Sequence, residues 1–190
     1  MVTKFDKKNN IYFKATYCQA LMSKELIKNK NSGQEISIRK FKGNKYTAKK
    51  LITAIKYIFS IRYPILCNTI FCYEKNIMYG KITSNKNEDP QEIYAYGWNY
   101  KKIFNFIELY FDRNPLNVEK KPTTKLFAFY NSRDHFTLAI CTQHITGVNY
   151  SFNLIMKEFE KYFEILSATN KNLLKFINWS LGLSFFSNLV

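Results

Sequence analysis

Residues 125–143, which read KLFAFYNSRDHFTLAICTQ, decide the fold class. Apolar residues dominate Lys125–Tyr130 and Phe136–Gln143, and a short polar segment separates these two runs. Runs of this length on either side of a turn predict two adjacent strands. Parallel strands need a long crossover connection, so a turn this short predicts an antiparallel pair.

The same patterns predict further elements on both sides of this pair. Apolar residues at helical spacing, the capping residues Thr47 and Asn99, and helix-ending Pro or Gly predict the helices, and alternating or continuous apolar runs predict the strands. We predict helices over 11–30, 47–61, 100–111, 149–162 and 170–178, and strands over 35–39, 65–73, 91–98 and 163–168. Several strands adjoin without a helix between them. The predicted class is therefore α+β, a single mostly antiparallel sheet with helices packed on one face, in one domain over residues 1–190.

The composition favours a polyanionic partner. The 190 residues are 46% hydrophobic and carry a formal net charge of +15, so the chain can form a core and still attract polyanions. Nucleic acid is the favoured partner, with an anionic membrane surface second. The apolar stretches are too short and too often interrupted to span a bilayer, and no signal peptide is expected.

The basic residues are very unevenly divided, and this indicates the kind of genome. Only Arg39, Arg62, Arg113 and Arg133 are arginines, and the other 25 basic residues are lysines. Asn, Ile, Phe and Tyr are also abundant, as in proteins encoded by AT-rich genomes. This bias fits an organelle, an intracellular parasite or a virus.

The residues that usually support catalysis or metal binding are few and scattered. There is no C-x-x-C pair, and His135 and His144 lie an odd number of positions apart, which places them on opposite faces of a predicted strand. We therefore expect no metal, no cofactor and no enzymatic activity. The cysteines, expected to be free thiols in a reducing compartment, are Cys18, Cys67, Cys72 and Cys141.

Basic and aromatic residues cluster at one predicted end of the sheet. Lys40, Lys42 and Lys45 follow a strand, and Arg62 and Tyr63 lie where the next helix ends. Lysines beside tyrosines can neutralise phosphates and stack on unpaired bases. This convergence favours RNA as the ligand.

Several segments in collinear order resemble one known family. They are the strand Glu35–Ile38, the helix exit Ser60–Pro64, the strand Asn131–Leu138 and the closing segment Phe163–Thr169. In this order the chain resembles the bacterial-type large-subunit ribosomal protein L five, which holds 5S rRNA in the central protuberance. Arg39, Arg62 and Cys67 depart from that family's pattern.

The resemblance implies a structural protein of a mitochondrial large ribosomal subunit, encoded in the organelle. The implied partners are large-subunit rRNA, 5S rRNA where the organelle has it, P-site tRNA and neighbouring ribosomal proteins, with no membrane partner. The polar segment 74–90, expected to be an exposed loop with at most a short strand near Tyr79–Thr83, would reach towards the tRNA and the small subunit. The predicted RNA-binding residues are Arg39, Lys40, Lys42, Lys45, Arg62, Tyr63, Asn68, Lys75, Lys81, Lys86, Lys125 and Arg133.

Two other functions fit the composition. One is a phage or viral RNA- or protein-binding factor from an AT-rich genome. The other is a small ribonuclease that uses His135 and His144. Co-sedimentation with large ribosomal subunits would separate the ribosomal interpretation from both.

Overall fold

A computed structural model describes residues 2–5, 11–28, 34–61, 69–82, 90–115, 117–122, 124–145 and 156–164. The helices described are α1 (Tyr17–Lys28), α2 (Lys45–Ile61), α3 (Tyr100–Arg113) and α4 (156–164). The strands described are β1 (Val2–Phe5), β2 (Ile11–Lys14), β3 (Gln34–Lys42), β4 (Thr69–Glu74), β5 (Ile77–Ile82), β6 (Gln91–Tyr94), β7 (Thr124–Tyr130) and β8 (His135–Gln143). No helix among these residues is long and apolar enough to cross a membrane.

The main sheet has the strand order β3-β8-β7-β6. Strand β8 runs antiparallel to both β3 and β7, and β6 runs parallel to β7. Helix α3 lies between the parallel strands β6 and β7 in sequence, as a parallel connection requires. The central strands β7 and β8 form the antiparallel pair predicted from residues 125–143.

Helices cover both faces of the main sheet. Leu126, Ala128 and Tyr130 of β7 belong to a core shared with α2 and α4. The alternate residues Phe127 and Phe129 belong to a second core shared with α3. Because successive side chains of a strand point to opposite faces, a strand buried on both faces is apolar at nearly every position. This explains the continuous apolar runs of β7 and β8.

The small sheet has the order β1-β2-β5-β4, and all of its pairings are antiparallel. Strands β4 and β5 form a hairpin whose turn residues, Lys75 and Asn76, both have positive φ. Val118 and Ile145, which flank the main sheet, share a core with Phe71 and Met78 of the small sheet and with α1. The two sheets are thus joined by a third apolar cluster.

The α+β class is confirmed, but the prediction of a single sheet is wrong. Residues 11–14 form a strand and not the start of a helix, and this strand pairs with β5 to extend a second sheet. The polar segment 74–90, predicted as a loop with at most a short strand near Tyr79–Thr83, contains β5 and so contributes half of the β4–β5 hairpin. The prediction of helices on one face is also wrong, since α3 packs opposite α2 and α4.

Several other predictions agree with the structure, and some concern residues that the structure does not describe. Strands β3, β6, β7 and β8 and helices α2 and α3 are found where the sequence predicted them, with ends shifted by a few residues. The predicted strand over 163–168 begins in helix α4, and its remaining residues are outside the described part of the chain. The helix predicted over 170–178 is wholly outside it. The single-domain organisation stays a prediction.

Candidate functional site

The residues predicted to bind RNA are spread over both sheets. Arg39, Lys40 and Lys42 lie on β3, Lys45 begins α2, Lys125 lies on β7 and Arg133 is exposed between β7 and β8. Lys75 and Lys81 lie on the β4–β5 hairpin of the small sheet. Arg62, Tyr63, Asn68 and Lys86 are outside the described residues. The convergence predicted for Lys40, Lys42 and Lys45 with Arg62 and Tyr63 therefore stays a prediction.

Some of these basic side chains already have protein partners. The Arg39 guanidinium lies 3.1 Å from a carboxylate oxygen of Glu160 on α4. The Lys45 ammonium donates to the Tyr94 hydroxyl and lies 3.6 Å from the Glu92 carboxylate. The hydrogen bond to Tyr94, more than the charge of Glu92, raises the pKa of Lys45. Their charges are partly balanced within the protein.

The two histidines lie at opposite ends of β8. His135 begins the strand, and its Nδ1 lies 3.0 Å from Oδ1 of Asp134. Hydrogen bonds from the Ser132 hydroxyl and then from His135 lower the pKa of Asp134. His144 follows the last residue of β8, so the two imidazoles are about 30 Å apart at the rise of an extended strand. They do not form a common site.

His144 lies next to a carboxylate that sequence reasoning did not single out. Its Nε2 is 2.8 Å from Oε1 of Glu35 on β3, and the Glu35 side chain is only 9% exposed. The contact has the distance of an ion pair without hydrogen-bond geometry. Neither Glu35 oxygen, nor Nδ1 of His144, has a hydrogen-bond partner among the described residues. Buried polar atoms are nearly always bonded in folded proteins, so these atoms call for a partner beyond the described residues.

The strand register explains why these two side chains meet. Glu35 is directly opposite Thr142 of β8. His144 is two residues after Thr142, so its side chain lies on the same face of the sheet. Thr142 is fully buried, and its hydroxyl lies 3.0 Å from that of Thr124 on β7. A row of polar side chains thus ends the apolar face shared by β3, β8 and β7. We call Glu35, Thr124, Thr142 and His144 the polar row.

The polar row can carry out proton transfer. An imidazole is the commonest general base in enzymes, and a neighbouring carboxylate orients it and stabilises its protonated form. No group of three potential metal ligands occurs in the described part of the chain. The arrangement therefore fits acid–base chemistry on a bound substrate.

No protein-family model matches the sequence, and no curated protein matches it. Solved structures do match. The tallysomycin biosynthesis protein TlmII has a TM-score of 0.64 and 14% identity over 80% of this chain and 38% of its own. A four-domain nonribosomal peptide synthetase, solved with AMP and glycine, has a TM-score of 0.59 and 12% identity over 84% of this chain and 12% of its own.

A third structure concerns condensation domain-mediated chain release from the enacyloxin polyketide synthase. It has a TM-score of 0.54 and 14% identity over 84% of this chain and 31% of its own. The chain shares its fold with these biosynthetic proteins. It spans well under half the length of each of them.

This likeness corrects the functional predictions. The role in a large ribosomal subunit, and the rRNA, tRNA and ribosomal-protein partners, are contradicted because the fold is that of peptide and polyketide biosynthesis proteins. The expectation of a non-enzyme is contradicted by the same finding. The physical reason is the second helical layer: α3 covers the sheet face that helices on one face alone would have left open. The mitochondrial location stays a prediction.

Proposed function

We propose that this chain acts in acyl transfer from a thioester to an amine or a hydroxyl group. The observation that carries this proposal is the Glu35–His144 pair at the end of β8, with its partly buried carboxylate and its unpaired polar atoms. The shared fold supports the reaction class, since one structure with this fold concerns condensation domain-mediated chain release from the enacyloxin polyketide synthase.

His144 acts as the general base in this proposal. Its Nε2 faces Glu35, so Nδ1 takes the proton from the attacking amine or hydroxyl as the new bond to the acyl carbon forms. Because Nδ1 is buried, this step requires the groups that cover it to give way to the substrate. The thioester carbon–sulfur bond then breaks, and the thiolate leaves and takes up a proton. The Glu35 carboxylate stabilises the positive charge on the imidazole, so its contribution depends on its charge and not only on its shape.

The test measures amide formation by the full chain. An acetyl or glycyl thioester of N-acetylcysteamine is incubated with a primary amine, and thiol release and amide product are followed by absorbance and mass spectrometry. We expect His144→Ala to lower the rate about 100-fold or more, the usual contribution of a positioned base. Glu35→Gln, which keeps the shape and removes the charge, should lower the rate less than His144→Ala does.

His135→Ala is the matched control, because it removes the same side chain at the other end of the same strand. It should leave the rate within about twofold of the wild type. If the wild-type chain forms amide no faster than His144→Ala, with circular dichroism showing both to be folded, the acyl-transfer proposal is wrong.

A further inference from the structure

Helix α1 begins with a capping box formed by Thr16 and Gln19. The Gln19 backbone N–H donates to the Thr16 hydroxyl at 3.2 Å, and the Thr16 backbone N–H donates to Oε1 of Gln19 at 2.9 Å. Such reciprocal bonds satisfy two backbone donors at the start of a helix. The carbonyl oxygen of the Gln19 side chain is therefore fixed by its own helix, and its amide nitrogen is left to bond elsewhere.

The Gln19 amide nitrogen bonds to the residue that follows His144. Its Nε2 donates to the main-chain carbonyl of Ile145 at 3.1 Å, although the two residues are 126 positions apart in sequence. Ile145 is only 1% exposed, and its side chain lies in the core that joins the two sheets. Helix α1 and this core therefore hold the main chain immediately after His144.

This hold matters because His144 lies beyond the strand pairing. The β3–β8 register ends at the pair Gln34 and Gln143, so His144 is one residue past the last pair. Its Nε2 is nevertheless 2.8 Å from Oε1 of Glu35. A catalytic side chain has to be held within about 0.5 Å of its productive position. The bond from Gln19 supplies part of that restraint where the strand pairing has ended.

Position 19 requires an amide and no other polar group. A backbone N–H only donates and a carbonyl only accepts, so the bonds to Thr16 and Ile145 require an acceptor and a donor on one side chain. Glutamate would complete the capping box equally well, but it has no donor for the Ile145 carbonyl. The glutamine therefore serves the contact with Ile145 as well as the start of the helix.

We propose that Gln19 is a positioning residue for His144. Through the Ile145 carbonyl it holds the main chain from which the imidazole reaches Glu35. Loss of this bond lets the chain move at the end of β8 and takes the imidazole out of contact with the carboxylate. The effect of Gln19 on the reaction rate rests on the proposed acyl-transfer function, whereas its effect on the placement of His144 does not.

The first test measures the placement of His144 without any assay of activity. Diethyl pyrocarbonate modifies accessible imidazole nitrogens, and mass spectrometry of the labelled full chain gives the rate at His144 relative to His135, at the other end of β8. In the wild type Nδ1 of His144 is buried and Nε2 lies against Glu35, so its labelling should be slow. Gln19→Glu keeps the capping box and removes the donor to Ile145. It should raise the relative rate about fivefold, the usual effect of one lost hydrogen bond on a local equilibrium.

Thr16→Ala is the matched control, because it removes the hydroxyl of the capping box and leaves the bond from Gln19 to Ile145 in place. It should lower the melting temperature, as the loss of a cap does, and leave the relative labelling of His144 within about twofold of the wild type. Gln19→Met removes the donor without adding a charge, should raise the labelling as Gln19→Glu does, and decides the question if the glutamate variant does not fold. Equal rises in the Thr16 and Gln19 variants, or no rise in the Gln19 variants, would overturn the proposal.

The second test uses the acyl-transfer assay. Gln19→Met should lower kcat about fivefold and leave KM for the amine unchanged, because it displaces the base and leaves the rest of the site intact. When it is combined with Glu35→Gln, the loss should be smaller than the product of the two single losses, since the carboxylate acts only on an imidazole that is in place. Losses that multiply would contradict the proposal. If the wild type forms no amide, the acyl-transfer function fails, and the labelling alone decides whether Gln19 positions His144.

Discussion

The Asn99 side chain accepts a hydrogen bond from the Lys102 backbone N–H at 2.9 Å and caps the start of α3. Helix α3 is the only described helix on its face of the main sheet, so fraying of its first turn would loosen that core. We expect Asn99→Ala to lower the free energy of unfolding by about 1 kcal/mol in urea denaturation.

Asn105→Ala is the control for the cap, because Asn105 is an exposed residue of the same helix. Alanine is the better helix former at an interior position, so this variant should be unchanged or more stable by up to about 0.7 kcal/mol. Equal destabilisation by both substitutions would show that the Asn99 side chain does not act as a cap.

The sequence predicted single residues well where the contact is local. Asn99 lies three residues from the N–H that it caps, and the pattern alone identified it. For α2 the predicted cap, Thr47, is wrong by one turn, since Asn44 accepts from the Thr47 N–H. The Glu35–His144 pair was missed because its members are far apart in sequence and meet only through the β3–β8 register. The available indication was that Glu35 lies in one correctly predicted strand and His144 directly follows another.

Gly80 of β5 packs against the Phe13 ring of β2. Gly80 is opposite Phe13, and a Cβ atom at Gly80 would overlap the Phe13 ring. We expect Gly80→Ala to lower the free energy of unfolding by about 1–3 kcal/mol, the usual cost of overpacking. The measurement is chemical denaturation followed by circular dichroism.

A double variant tests whether the ring is the cause. Combining Gly80→Ala with Phe13→Leu should cost less than the sum of the two single substitutions, because the smaller side chain leaves room for the new methyl group. Additive losses would mean that Gly80 is needed for a backbone reason and not for its contact with Phe13.

The same pair of strands shows why one element was predicted wrongly. Residues 11–14 were assigned to a helix because apolar residues recur near helical spacing through 11–26. In the structure Ile11–Lys14 pairs with Lys81 and its neighbours, about 70 residues away, and the helix begins only at Tyr17. Pairing with a distant strand leaves little trace in local periodicity. The central strands β7 and β8 were predicted correctly because burial on both faces produces a continuous apolar run in the sequence.

At the scale of the whole molecule, a buried thiol and a buried phenol should make the folded protein less stable at alkaline pH. Burial raises the pKa of the Cys141 thiol, and burial together with the Glu92 charge raises that of the Tyr130 hydroxyl. Each group ionises more readily in the unfolded chain, so its stabilising contribution is full below its ordinary pKa and is lost as the pH rises above it. We therefore expect the melting temperature to fall from about pH 9 upwards.

Variants without these groups check the cause. Cys141→Ala and Tyr130→Phe should each flatten the decline in melting temperature between pH 9 and pH 10.5, even where they lower the temperature at pH 7. An unchanged slope in both variants would assign the alkaline loss to other groups, such as the many lysines.

Strands β3 and β8 pair along their whole length although about 100 residues separate them in the chain. Strand β8 is also a central strand, so neither apolar face of the main sheet is complete until it is in place. Contacts between residues so far apart in sequence slow folding, because the intervening chain must lose entropy in closing a large loop before these contacts can stabilise the sheet. On the ribosome that makes this chain, β3 and α2 emerge early and must wait for β8. During that interval the edge of β3 and the apolar face of α2 are open to chaperones and to aggregation.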